Sequence, residues 1–357
     1  MTERPVTAGR WLHRMAEVAP ETVRRLSLVS LVSVATIVLT GAAVRLTGSG
    51  LGCSDWPSCM KGQLTPPLRF HSLVEFGNRM VTVVLVVVIT ATFLAAIRRR
   101  PFRRDLAWLS GGLVFGVLAE AVIGGIVVYS KLNPYLVMVH FLATLLMLAA
   151  AAVLLHRSGH DYSPGSGRLL VPRPILLLSR GLVVLLAVVM AAGSATTGAA
   201  PDAGGAQGQL VAKRIPVPLR TMAELHSSLA LLLVGLALGL AVALHSLDVP
   251  ERVRKGARVL VVVLALQAAV GYAQYFTHLP AAVVELHELG ATVLVIGVVQ
   301  FFLALTHHAS ERAPRLRAVP DVPAAAGVPA AAGGAAGGAV GAPAGVAQRE
   351  GTATLQR

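Results

Sequence analysis

An all-α polytopic membrane protein, with eight transmembrane helices arranged as two pseudo-repeated four-helix bundles, is the fold this sequence predicts, and three observations predict it. Of 357 residues, 55% are hydrophobic and only 13% charged, with a mean hydropathy of +0.70, too apolar and too poor in charge for a soluble chain of this length. Eight apolar stretches are each long enough to cross about 30 Å of hydrocarbon as helix. One segment also occurs twice. EAVIGGIVVYSKLNPYLVMVH, Glu120 to His140, returns without a gap as QAAVGYAQYFTHLPAAVVELH, Gln267 to His287. In this alignment Gly124 matches Gly271, Leu132 matches Leu279 and His140 matches His287. A repeat that keeps its histidine while lipid-facing residues drift makes the histidine the point of the unit.

Residues 1–25 are polar and carry Arg4, Arg10, Arg14, Arg24 and Arg25, which reads as a cytoplasmic segment anchoring the first span rather than an export signal. The spans run from Leu26 to Arg45, Val74 to Ile97, Leu106 to Tyr129, Tyr135 to Leu155, Ile175 to Gly198, Met222 to Leu247, Val259 to Phe276 and Val283 to Thr306. This gives a first half over residues 26–155, a cytoplasmic linker at 156–174 and a second half over 175–308. Residues 309–357 are rich in Ala, Gly and Pro, have almost nothing to bury, and read as a disordered cytoplasmic tail.

Charge sets the orientation. Arg98, Arg99, Arg100, Arg103 and Arg104 separate spans two and three, and Arg252, Arg254, Lys255 and Arg258 separate spans six and seven. The alternate loops are poorer in base, which places both termini in the cytoplasm of a multi-pass cell-membrane protein. The net charge of +14 belongs to topology and lipid headgroups, not to nucleic acid. Cys53 and Cys59 then lie in an outward loop, where a disulfide can persist.

Of the 11 histidines, His13, His156, His160, His245, His307 and His308 lie in or beside cytoplasmic segments, and His71 and His278 at the outer margin. His140, His226 and His287 share one depth, about five residues and so about 7 Å inside the outer ends of spans four, six and eight. Two imidazoles from facing helices at one level suit an iron porphyrin better than zinc, which needs further ligands. A lone intramembrane histidine can equally serve a helix-to-helix hydrogen bond. The first half differs from the second. AELHSS puts His226 on span six, whereas its counterpart VEFGNR puts Asn78 at the mirrored place, with Glu75 one turn before it and Arg79 after. Two histidines suit a permanently held haem. One histidine with an Asn and a carboxylate suits a reaction site, although Glu75 can also serve a hydrogen bond to Arg79, His71 or a loop.

TGSGLGCSDWPSC after span one, EFGNR on span two, and histidines on spans four, six and eight of an eight-span pseudo-repeat resemble the haem A synthase family over about residues 26–308. The resemblance implies an enzyme that oxidises the C8 methyl of haem O to a formyl group, making haem A for a terminal oxidase. Two successive hydroxylations and loss of water would achieve this, with oxygen from solvent and an electron donor. It implies haem b held by His226 and His287, His140 as a ligand to the substrate haem, Glu75 as the catalytic carboxylate, Asn78 in the substrate pocket, and Cys53 with Cys59 as the outer-loop pair. Haem O synthase, an electron donor, membrane lipid and a second copy of the chain are the partners it implies. The family's histidine three residues after the glutamate is Asn78 here, which leaves a single ligand, a replacement by His71, or a contact from Asn78. Arg45, Arg79 and Arg220 are candidates to pair with propionates. The rival readings are a cytochrome b that passes electrons from quinol through two haems, and a haem or lipid transporter suggested by the repeat alone.

Overall fold

A computed structural model describes residues 17–63, 65–161, 167–200, 213–307 and 309–310. Most of the expected N-terminal segment and nearly all of the Ala/Gly/Pro tail therefore lie outside the described residues. Among the described residues, eight helices are long and apolar enough to cross a membrane: α1 (Pro20–Leu46), α2 (Phe70–Arg98), α3 (Arg104–Tyr129), α4 (Pro134–Ser158), α5 (Arg173–Ala199), α6 (Leu219–His245), α7 (Glu251–Phe276) and α8 (Ala281–Ala304). Proline at or just before the first turn starts α1, α4, α5, α6, α7 and α8, because its missing N–H would be unpaired there anyway.

Hydropathy misplaces one boundary widely. It starts span seven at Val259, whereas α7 begins at Glu251, directly after Pro250. Its first two turns are charged, with Glu251 holding Arg254 at 2.9 Å and Arg258 at 2.5 Å. An apolar window does not register such a start, although the helix is locally supported.

The helices pack as two closed rings of four, α1–α2–α3–α4 and α5–α6–α7–α8. Between the rings, α4 meets α8, α1 meets α8 and α5 meets α4, so the first helix of each half lies on the last helix of the other. Leu148 and Leu154 of α4 and Leu294 of α8 are fully buried in the core along this seam. Trp108, Phe115 and Leu146 are exposed, as an exterior solvated by lipid tails requires. Association in lipid leans on close packing and buried polar contacts. Ser30 of α1 and Thr92 of α2 share a 2.8 Å bond in the first ring, a contact worth about 0.6 kcal/mol on average.

The sequence repeat is also a repeat of backbone. Lys131 and Leu132 have φ of 54° and 60°, and their counterparts His278 and Leu279 have 64° and 62°. The Leu132 N–H donates to the Val127 carbonyl at 3.0 Å, and the Leu279 N–H to the Gln274 carbonyl at 2.8 Å. These paired left-handed residues satisfy the last carbonyls of α3 and α7, then release α4 and α8 at the same register. His140 and His287 consequently both stand at the seventh residue of their helices.

At the opposite end the arginine-rich segments tie together. Val18 pairs with Arg98 and Arg100 through backbone bonds of 3.0 and 3.1 Å, and Arg103 donates to the carbonyls of His160 and Arg157. Four two-residue strands close this end, pairing His160–Asp161 with Ala309–Ser310 and Arg168–Leu169 with Thr306–His307.

Candidate haem-binding sites in two unlike halves

In the second half the two sequence-predicted histidines meet. The rings of His226 on α6 and His287 on α8 have centroids 6.4 Å apart at an interplanar angle of 80°. Two imidazoles on opposite sides of one metal, with bonds of about 2 Å and about 1 Å more from nitrogen to ring centre, need ring centres about 6 Å apart. The spacing therefore fits bis-imidazole ligation of a haem iron. The carbonyl of Val189 on α5 lies 3.1 Å from His226 Nδ1. A carbonyl only accepts, so Nδ1 carries the proton and Nε2 keeps its lone pair. On His287, Nδ1 lies 3.2 Å from the side-chain amide of Gln267, which is also 2.8 Å from the His287 carbonyl.

Glycine admits both rings. A Cβ at Gly193 of α5 would stand 2.9 Å from His226 Cε1, and one at Gly271 of α7 would stand 3.1 Å from His287 Cε1. The cradle is built of missing side chains. Among the described residues no three His, Cys, Asp or Glu side chains converge as they would around zinc.

The first half repeats this frame with different contents. His140 on α4 lies against Gly124, the repeat partner of Gly271, at a looser 3.6 Å. Asn78 on α2 accepts a 2.7 Å hydrogen bond from the Thr40 hydroxyl of α1. A Cβ at Gly41, which aligns with Gly193, would meet nothing within 4 Å, so the room that His226 fills in one half is open in the other. His71 does not fill it. It is the second residue of an unbroken α2, about 10 Å from Asn78 along the helix axis, and its Nδ1 is tied to the Ser49 hydroxyl at 3.0 Å.

Glu75 is buried, with both oxygens engaged. Oε1 receives Arg79 Nη2 at 2.6 Å and Oε2 receives the backbone N–H of Cys53 at 2.7 Å. Arg79 Nη1 donates further to the carbonyls of Asp55 and Ser58, at 2.9 and 2.8 Å. The carboxylate and its arginine thus seat the loop between α1 and α2, which the Cys53–Cys59 disulfide closes on itself. Gly52 is obligatory in that seat, since its Cβ would stand 2.2 Å from the His71 carbonyl oxygen. Trp56 packs over Gly125 of α3, and the Tyr129 hydroxyl donates to Asp55 at 2.9 Å and to the Trp56 carbonyl at 2.8 Å. The Trp56 backbone N–H and then the Tyr129 hydroxyl hold the Asp55 carboxyl below the usual aspartate range.

Sequence reasoning missed Glu120. This residue of α3 is 9% exposed, and its Oε2 stands 2.6 Å from His140 Nδ1, a close contact rather than an in-line hydrogen bond. The signal was present, because Glu120 opens the repeat and aligns with Gln267, the residue touching His287 Nδ1. Glu120 also ends a groove of about 610 Å³ between α3 and α4, lined by Trp108, Leu109, Phe115, Ile123 and Met147. Of the three arginines considered for propionates, Arg79 is committed to Glu75 and the loop, and Arg220 pairs with Glu224 at 2.8 Å. Arg45 of α1 lies within the electrostatic reach of Glu285 and Glu288 on α8.

Comparison with known proteins agrees with this geometry. A family model described as COX15-CtaA, cytochrome oxidase assembly protein, matches residues 24–72 and 68–299. A heme A synthase of Geobacillus kaustophilus is 37% identical over 108 residues, 29% of this chain and 32% of that protein. One from Staphylococcus saprophyticus is 23% identical over 294 residues, 78% of this chain and 94% of that protein. A protoheme IX farnesyltransferase of Thermus thermophilus is 32% identical over 127 residues, 33% of this chain but only 21% of that protein. The match therefore spans about a third of the Geobacillus relative and nearly all of the Staphylococcus one.

Proposed function

Given that the chain belongs to the COX15-CtaA family of cytochrome oxidase assembly proteins, we propose that it is a haem A synthase, with haem O as substrate in the first half and haem b as resident cofactor in the second. The observation that carries this reading is the unlikeness of the halves. His226 and His287 face each other at the spacing of two axial ligands, whereas His140 faces an asparagine and an open cradle. Ligands on both sides of the iron suit a group that is permanently held, and an open side suits a substrate that must enter and leave. Pure electron transfer would be better served by two matched sites.

His226 and His287 would hold haem b, which would supply one-electron redox chemistry beside the reacting half. His140 binds the substrate haem. Passing from methyl to formyl, the C8 carbon loses two hydrogens, gains one oxygen and gives up four electrons to dioxygen. Two successive hydroxylations would also draw electrons from the donor and protons from the site, the oxygen not kept in the formyl group leaving as water. Glu75 is our candidate for a group required in that oxidation, since a carboxylate buried one turn from Asn78 has no simple structural counterpart in the second half. Its bonds to Arg79 and Cys53 favour a second role, that of holding the loop which covers this end of the bundle. The arginine-rich end faces the cytoplasm and the disulfide loop faces outward. Haem O synthase, an electron donor and a second copy of the chain are partners compatible with this membrane setting.

The test is to supply the full-length protein with haem O under air and separate the extracted haems by chromatography. Wild type should accumulate haem A. Glu75→Ala should accumulate haem O or a hydroxylated intermediate while retaining haem b. No haem A from wild type, with its haem reduced by quinol, would instead make the protein an electron-transferring cytochrome.

A further inference from the structure

Glu120 lies nine residues before the end of α3, deep enough that a carboxylate is costly unless something there uses it. Its Oε2 contacts His140 Nδ1 at 2.6 Å and accepts the Thr144 hydroxyl at 2.9 Å, while Oε1 has no partner. In the second half Gln267 occupies the same place on α7 and contacts His287 Nδ1 at 3.2 Å. In each half, then, the residue twenty positions before the histidine, on the preceding helix, meets the same ring nitrogen. In the first half the contact turns Nε2 away from the support, whereas in the second the Gln267 amide nitrogen, which also donates to the His287 carbonyl, presents an N–H to Nδ1. The two supports have nearly the same shape and differ in charge.

Resting on the assignment of His140 to the substrate haem, we infer that Glu120 is the positioning residue for His140, and that the Glu120/Gln267 difference makes the first-half imidazole the stronger electron donor. Among the described residues His140 Nδ1 has no in-line hydrogen bond, and a small turn of the ring towards a haem iron would bring its N–H onto the Glu120 carboxylate, which would orient the ring and raise the basicity of Nε2. Gln267, which offers an amide N–H to His287 Nδ1, supplies no such push. Thr144, one turn beyond His140, clamps the carboxylate oxygen in place and so couples the support to the helix it supports.

The test uses full-length protein with haem b in place, so that the second-half spectrum reports folding. Ferric haem O is titrated in, and both affinity and midpoint potential of the added haem are read. Glu120→Ala should weaken binding about tenfold or more with the haem b spectrum unchanged. Glu120→Gln, which copies the second half, should keep binding close to wild type but raise the potential of the added haem. In the mirror experiment, Gln267→Glu should lower the potential of the resident haem b. Wild-type affinity in Glu120→Ala, or an unchanged potential in either Glu/Gln exchange, overturns the inference. If wild type itself takes up no haem O, it is the assignment of the first half that fails, and this inference falls with it.

Discussion

At the scale of single residues, space around the imidazoles separates the halves more sharply than their identity does. A Cβ at Gly193 or Gly271 would stand 2.9 or 3.1 Å from a ring carbon of His226 or His287, whereas one at Gly124 would stand 3.6 Å from His140. A methyl added at either of the first two must push a ring out of line, at a cost of about 1–3 kcal/mol by the usual price of overpacking. Gly193→Ala and Gly271→Ala are therefore predicted to shift or abolish the low-spin bis-histidine signal, measured by optical and EPR spectra, while Gly124→Ala leaves it alone. Asn78→His should be accommodated in the open space at Gly41, with loss of the Thr40 bond, and should drive a haem in the first half towards low spin. A first-half spectrum that does not change on adding this histidine would mean that Asn78 does not face the haem.

Among the elements, the disulfide loop is the piece whose role reaches furthest beyond its own residues. Glu75, Arg79 and Tyr129 hold it from α2 and α3, and it covers the mouth of the first bundle. Because the Asp55 carboxyl is held low in the folded state, its contribution to docking is fully present above the ordinary aspartate pKa. It is lost only as pH falls through the lowered value. The loop should stay seated at neutral pH and loosen in acid. Tyr129→Phe removes one of the bonds that lower Asp55, so the loosening should move to higher pH, followed by Trp56 fluorescence or by proteolysis of the loop. An unshifted transition would detach Tyr129 from the seat. Much of this element was legible in the sequence as the cysteine pair and the glycine-rich, Trp-containing run. Its anchorage was legible only as an alternative, a Glu75 bond to Arg79 or to a loop; that the loop atom is the Cys53 N–H was not, because neither periodicity nor composition says which loop atom a buried carboxylate will meet. The helices were legible because lipid forces an unmistakable apolar length, and α7 was misplaced where its first turns are charged. His226 and His287 were legible as a facing pair through depth and the repeat. Glu120 escaped notice although it opens the repeat, because its alignment with Gln267 acquires meaning only when both are seen against the histidine rings.

For the whole molecule, two rings of four helices with the same internal order form one membrane unit, and their symmetry is broken chiefly by what stands at positions 78 and 120. The repeat supplies the frame, and in the proposed reading its divergence makes one half hold a haem and the other turn one over. The orientation that goes with this account leaves Cys53 and Cys59 outside and oxidised. An impermeant thiol reagent should label them in intact cells only after reduction, and labelling that requires permeabilisation instead would reverse the topology. The division of labour is tested most directly by the haem content of two purified variants, measured by extraction and chromatography with haem O supplied. His140→Ala is predicted to keep haem b and make no haem A, while His287→Ala loses haem b. Loss of haem b from His140→Ala, with its retention in His287→Ala, would contradict the assignment of the resident haem to the second half.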